Sequence, residues 1–379
     1  MLYDKDIREP LFGFLDEIYG TNRIKEVAMN CNDILENNEN SLDWIVEPLL
    51  QWYKENARVL PWRENSDPYR VWVSEIMLQQ TRVEAVIAYY QRFMENFPNI
   101  EILAVAPEEK VMKLWEGLGY YSRARNLKKA AEVISEQYKG KFPEEYSEIL
   151  KLPGIGKYTA GAISSIAFGQ PCSAVDGNVL RVITRLEENG TDIKDEKFKK
   201  QIGEKLEAVY PVGCCSEFTQ SLMELGATVC VPNGEPKCEE CPLKRGCSAY
   251  KNNTWQKYPV KQEKIKRKRI DKTVLILSIE QKIAVRKREE KGLLGGLWEL
   301  PNVDEKMNEQ EVKQWLEERE IEVIQIKKHK SAKHIFTHLE WYMKCYHVVC
   351  KEENSSFEWA SKEELNQAIP LPTAFRKCL

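Results

Sequence analysis

Histidine is scarce in this chain and confined to one end of it. Among 379 residues there are four, His329, His334, His338 and His347. Residues 41–250 therefore work without histidine as base, nucleophile partner or metal ligand. That excludes a Ser-His-Asp triad and a zinc deaminase site from the region. Long apolar runs are missing too. No stretch reaches the roughly 18 apolar residues of a membrane span, and no secretory pattern opens the chain. The expected setting is the cytoplasm, nucleoid-associated in a bacterium, with no membrane partner. A surplus of positive charge is also lacking, since the net charge is −3. Bulk charge thus speaks against a nucleic-acid partner, and only local clusters speak for one. Arg123, Arg125, Lys128 and Lys129 form the first, and Lys264 to Arg269 form the second, which reads as a solvated linker.

What is present is the composition of a globular protein, 42% hydrophobic and 30% charged. The length suits two or three domains. Residues 1–40 are an extension of unknown function, with LFGFLDEIYG as one short amphipathic helix. Residues 41–250 are mostly α-helical. Residues 251–270 are a basic linker. Residues 271–379 are a small α+β domain, with strands in TVLILSI, KIAVRKRE and LEWYMKCYHVVC and a helix at VKQWLEEREI. HIFTH reads as one turn holding His334, Phe336, Thr337 and His338.

Within the helical region, residues 152–179 organise the rest. Pro153, Gly154 and Gly156 mark a tight turn, and KYTAGAISSIAF starts a helix after it. Free amides at such a helix start make a phosphate cradle, and an ordinary helix-turn-helix has the same pattern. Asp176 follows, as a helix N-cap, a catalytic carboxylate, or both. Upstream, Glu75 is flanked by Val73, Ile76 and Met77. A carboxyl near apolar surface can stay protonated and act as an acid; an exposed helix glutamate is the plainer reading. Gln79 and Gln80 fall at a helix break, where amides can fill a base stack or read base edges. The T-x-x-E run from Thr81 to Glu84 predicts a capping box there. Trp62 and Arg63 suit stacking and edge recognition of a base, or capping of the core. Tyr120 and Tyr121 sit at a glycine break before a basic helix, a pattern that suits wedging and phosphate neutralisation. A further helix is expected over 143–151.

Eleven cysteines do not form a disulfide framework. Cys31, Cys172, Cys214, Cys215, Cys345, Cys350 and Cys378 read as buried small residues or free thiols. Cys230, Cys238, Cys241 and Cys247 make C-x7-C-x2-C-x5-C. Four thiolates so close suit a [4Fe–4S] cluster or a structural zinc, and the uneven spacing favours the cluster.

LPGIGKYTAGA, VDGNV and the four-cysteine loop together resemble the endonuclease III-like, helix-hairpin-helix DNA glycosylase superfamily. SEIMLQQT, GLGYYSRARNL and the strand-rich tail resemble its MutY-type adenine DNA glycosylases, over roughly residues 43–375. The resemblance implies a base-excision repair enzyme that removes adenine mispaired with 8-oxoguanine or guanine in duplex DNA, acting as a monomer. It implies that Glu75 protonates the leaving adenine and Asp176 stabilises the sugar cation, supported by Tyr158 and Asn178. Trp62, Arg63 and Gln220 would line the adenine pocket. Gln80, Thr81, Leu118 and Tyr120 would contact the 8-oxoguanine strand. The tail is similar to a MutT-like (Nudix-type) domain, with Thr337 and His338 in its 8-oxoguanine-sensing loop. Two features depart from the family pattern. The first cysteine interval is seven residues rather than six, and the hydrolase helix R-E-x-x-E-E is absent, so the tail reads as recognition without hydrolysis. Relatives that cleave strands carry a lysine where Tyr158 stands, and neighbouring Lys157 should face elsewhere on the helix. A glycosylase without strand cleavage is expected.

Overall fold

The computed structural model describes residues 42–261 and 266–379. The helix expected at LFGFLDEIYG, and Cys31, lie outside these. The helical region holds α1 (Val46–Asn56), α2 (Pro68–Leu78), α3 (Val83–Asn96), α4 (Ile100–Val105), α5 (Glu108–Leu114), α6 (Ser122–Gln137), α7 (Tyr146–Ile149), α8 (Lys157–Phe168), α9 (Gly177–Glu187), α10 (Glu196–Glu207), α11 (Cys215–Thr228) and α12 (Ser248–Lys251). Among the described residues no helix is long and apolar enough to cross a membrane.

Local chemistry sets the helix ends. Pro68 opens α2 behind Asp67, whose carboxylate accepts from the Arg70 amide at 2.9 Å. The expected break follows at Gln79 and Gln80, with Gln80 at φ +59°. The expected capping box does not form. Arg82, in extended geometry, is the N-cap of α3, and the Thr81 hydroxyl turns back to the Gln79 carbonyl. Thr81 stands one residue too early for the role. The helix expected over 143–151 shrinks to α7, because Pro143 and the extended Glu145 delay its start.

Two apolar cores result. Helices α2 to α8 surround Trp72, Phe93 and Trp115, all fully buried. Helices α1 and α9 to α11 surround Leu49, Ile183, Phe218 and Leu225, with the cysteine loop against them. Glu75 belongs to the first body, and Asp176 starts the helix that enters the second. The chain crosses between them at 169–176. This crossing is close: a Cβ on Gly161 would stand 2.0 Å from the Ser173 carbonyl oxygen, so α8 needs glycine there.

The C-terminal region is a mixed sheet with helices α13 (Glu309–Glu317), α14 (Lys362–Gln367) and α15 (Thr373–Arg376). Its strands are β1 (Lys268–Ile279), β2 (Lys282–Lys287), β3 (Trp298–Glu299), β4 (Asn302–Val303), β5 (Val323–Lys328), β6 (Ala332–Ile335), β7 (Leu339–Cys350) and β8 (Glu358–Ser361). The order runs β3-β2-β1-β7-β5, with β4 on β1, β6 on β7 and β8 on β2. Long strands β1 and β7 pair in parallel from Lys268↔Leu339 to Ser278↔Val349. Residues 268–270, read from sequence as linker, are thus strand; β7 supplies the partner that their charged composition conceals. HIFTH is not one turn either. His334 and Ile335 pair with Trp341 and Glu340 in β6, and the turn begins at Phe336.

The sheet region is docked on the helical one. Leu297 is fully buried in the α2–α8 core, with Leu294 beside it. Lys113 Nζ donates to the Leu365 carbonyl at 2.8 Å, and Glu116 accepts from Arg376 Nε at 2.6 Å.

Candidate active site and nucleic-acid interface

A cleft of about 1230 Å³ opens between the two helical cores, with Glu75, Tyr158, Asp176 and Asn178 in its wall. Glu75 lies on the buried face of α2, 6% exposed. Its Oε2 accepts from the Tyr158 hydroxyl at 2.5 Å. Burial pushes this carboxyl up to about 7; the Tyr158 hydrogen bond opposes the rise and nearby Asp176 adds to it. The exposed-glutamate reading is therefore wrong, and the protonated-acid reading has its physical basis.

Asp176 is the N-cap of α9, as expected, and it also lines the cleft. Its Oδ1 accepts from the Asn178 and Val179 amides, each at 2.8 Å, and Oδ2 from Asn178 Nδ2 at 2.7 Å. Burial raises this carboxyl too, and these three donors only oppose the rise. The helix N-terminus also favours its anion. The two carboxyls are thus set apart: burial favours the proton on Glu75, while the amide donors and the helix N-terminus favour the anion of Asp176. Tyr158 is pinned against Glu75, while Lys157 is exposed at the cleft rim.

The same cleft is also lined by the expected base-pocket residues. Trp62 lines the cleft yet is buried, edge-on to Tyr90 with centroids 5.4 Å apart. Arg63 Nη2 donates to Glu224 Oε2 at 2.8 Å. Gln220 accepts from the Tyr53 hydroxyl at 3.1 Å and donates to Ser216 Oγ at 3.1 Å. Glu224 was not found from sequence. Burial raises its carboxyl, but Arg58 and Arg63 outweigh that and hold it below the usual range. Arg181 was missed as well. It donates to Asn178 Oδ1 at 2.7 Å and to the Cys230 carbonyl at 2.7 Å, tying the Asp176 turn to the cysteine loop.

Residues 73–208 match the HhH-GPD superfamily of base excision DNA repair proteins, and residues 273–379 match the NUDIX domain. An adenine DNA glycosylase of Buchnera aphidicola (subspecies Baizongia pistaciae) is 35% identical, over 88% of this chain and 95% of its own. The Mus musculus adenine DNA glycosylase is 34% identical, over 87% of this chain and 76% of its own. The chain belongs to the adenine DNA glycosylase family. Among solved structures, a thermostable thymine-DNA glycosylase is similar at 32% identity and TM-score 0.50, covering 55% of this chain and 95% of that one. A helix-hairpin-helix glycosylase fold joined to a Nudix-like sheet domain agrees with the expected fold class.

In this glycosylase the hairpin turn has Gly154 at φ +76°, and Gly156 is the extended N-cap of α8. A side chain at Gly154 would strike Asn126 at 2.5 Å. Gln79 reaches Thr159 Oγ1 at 3.3 Å, Thr81 is half-buried, and Gln80 is exposed. Tyr120, at φ +47°, is 47% exposed, whereas Leu118 is buried and offers little surface to a duplex. Thr337 and His338 are exposed, and the Tyr120 hydroxyl meets Thr337 Oγ1 at 2.9 Å across the two regions.

The basic helix α6 is not the phosphate-binding surface its sequence suggests. Arg123 turns inward to backbone carbonyls, Arg125 binds Glu108 and the Gly295 carbonyl, and Lys128 binds Glu132 and the Ala104 carbonyl. Only Lys129 of the four stays exposed. Carbonyl oxygens at helix ends, which have no signature in sequence, outcompete solvent for these cations.

Cys230, Cys238, Cys241 and Cys247 line one small cavity with Arg185 and Leu243. Arg185 Nη1 donates to Cys230 Sγ at 3.2 Å. Burial, with the neighbouring thiols adding to it, pushes Cys241 up to about 12.

Proposed function

We propose that the cleft hydrolyses the N-glycosidic bond of adenine mispaired with 8-oxoguanine, or with guanine, in duplex DNA. The observation that carries this is the split carboxyl pair, one acid protonated by burial and one anion capped by amides, in a single cleft. Base loss needs both states at once: a proton for the leaving base, and a negative charge beside the sugar cation. Glu75 donates the proton, with Tyr158 fixing its carboxyl. Asp176 faces the sugar, with Asn178 fixing its oxygens. The base must first leave the stack, which costs a few kcal/mol. Trp62, Arg63 and Gln220 receive it, and Gln80, Thr81 and Tyr120 fill or flank the gap. The amides of the Gly154–Gly156 turn hold a backbone phosphate. In this reading 41–250 excises, 251–270 links, and 271–379 senses 8-oxoguanine through Thr337 and His338.

The four cysteines suit a [4Fe–4S] cluster. Their thiols line one small cavity together with Arg185, and four thiolate donors gathered this way fit an iron–sulfur cluster. Such a cluster braces the 230–247 loop.

Single-turnover assays on adenine opposite 8-oxoguanine, guanine and cytosine test the function. Excision fastest opposite 8-oxoguanine and slowest opposite cytosine is expected; equal rates on all three defeat the reading. Borohydride should trap no stoichiometric adduct with DNA, because Tyr158 occupies the nucleophile position.

A further inference from the structure

Two tight turns flank the place where a duplex would be opened, and both are conformationally unusual. Turn 78–81 carries Gln80 at φ +59°, and turn 117–121 carries Tyr120 at φ +47° with Gly117 and Gly119 also positive. Side chains with a Cβ rarely adopt this conformation unless their surroundings impose it. They lie about forty residues apart in sequence (Gln80 to Tyr120), yet one side chain touches both. Arg123 Nη1 donates to the Ile76 carbonyl at 2.5 Å, to Met77 at 3.1 Å and to Gln79 at 2.8 Å. Its Nη2 donates to the Leu118 and Gly119 carbonyls, each at 3.2 Å. The guanidinium also sits 5.3 Å from the Trp115 ring and 5.6 Å from the Tyr120 ring.

Each Nη thus serves one turn. The first caps the C-terminal carbonyls of α2, where a cation is favoured by the helix dipole. The second closes the glycine turn under Tyr120. Because the guanidinium is planar and rigid, the spacing between the turns is set by its own geometry. No aqueous flexibility intervenes, since the group is largely buried and its Nε has no partner among the described residues.

We propose that Arg123 is a positioning residue for recognition of the base opposite adenine. It holds Gln80 and Tyr120 at a fixed separation so that both engage the opened duplex together. This rests on the reading above that the two turns contact the lesion strand. The Arg123 guanidinium is spent on backbone carbonyls of the two turns.

The test uses the full-length protein and single-turnover excision of adenine opposite 8-oxoguanine and opposite guanine. Arg123→Lys keeps a cation for the α2 carbonyls but has no second arm for Leu118 and Gly119. It should lower the 8-oxoguanine-to-guanine rate ratio about tenfold, as small misplacements do in assembled sites. Adding Tyr120→Ala or Gln80→Ala to Arg123→Lys should lower it little further, because the lost tether already uncouples the two. Equal loss on both substrates, with Tyr120→Ala still fully effective, means Arg123 only supports the fold and overturns the proposal. A second measurement needs no change at Arg123. In the otherwise wild-type protein, Gln80→Ala and Tyr120→Ala should be strongly non-additive, and additive losses overturn the proposal. If neither single variant alters the ratio, the lesion-strand reading itself falls, and the proposal with it.

Discussion

Replacing Glu75 by glutamine should destroy activity and, at alkaline pH, make the protein more stable. The carboxyl rises from an ordinary 4.5 to about 7 on folding, chiefly because it is buried. Below about pH 3 both folded and unfolded chains hold the proton, so the residue adds no pH dependence there. As pH rises from there, the unfolded chain ionises first and folding becomes progressively less favourable. The loss is complete once pH passes the folded value near 7. At 1.36 kcal/mol per pKa unit the full loss is about 3 kcal/mol. Glutamine cannot ionise, keeps an oxygen to accept from Tyr158, and avoids the loss. Glu75→Gln should therefore melt several degrees higher than wild type at pH 8, and within about a degree or two of it at pH 5. Melting both proteins at the two pH values checks this, alongside an excision assay showing no turnover by the variant. A stability difference of the same size at both pH values would refute the buried, protonated acid.

Four other outcomes follow. Excision by wild type should fall as pH rises through about 7, where Glu75 loses its proton, and fall again in acid as Asp176 gains one. Tyr158→Phe removes a hydrogen bond that lowers the Glu75 value, so single-turnover rate profiles should show the alkaline limb moved to higher pH. Gly161→Ala must displace the Ser173 carbonyl. It should cost about 1–3 kcal/mol by melting and slow excision by shifting the Asp176 turn. Cys241→Ser should yield protein without the visible absorption and iron content expected of wild type.

Asp176 was legible in the sequence because the chemistry and the helix start ask for the same residue type in the same place. Glu75 was half-legible, since its apolar neighbours on α2 are visible while the tyrosine that closes over it is 83 residues away. The Glu224 network could not be read. Its cations, Arg58 and Arg63, are separated from it by 166 and 161 residues, and nothing local marks any of them as partners. Arg123 was misread for a physical reason. A basic residue on an amphipathic helix looks alike in sequence whether it faces phosphates or carbonyls, and only the packing of α2 against α6 decides. The strand at 268–270 failed similarly, because a parallel partner seventy residues on overrides poor local propensity.

Leu297 has one more consequence. Its side chain comes from the sheet-bearing region yet is solvent-free inside the core of the other. In thermodynamic language, the two regions are a complex whose components share a backbone. The linker raises their effective concentration, but the packed leucine and the Glu116–Arg376 pair set their orientation. A protease that severed the chain between them would leave an associated pair, whereas removing the sheet region altogether would bare an apolar socket and favour aggregation.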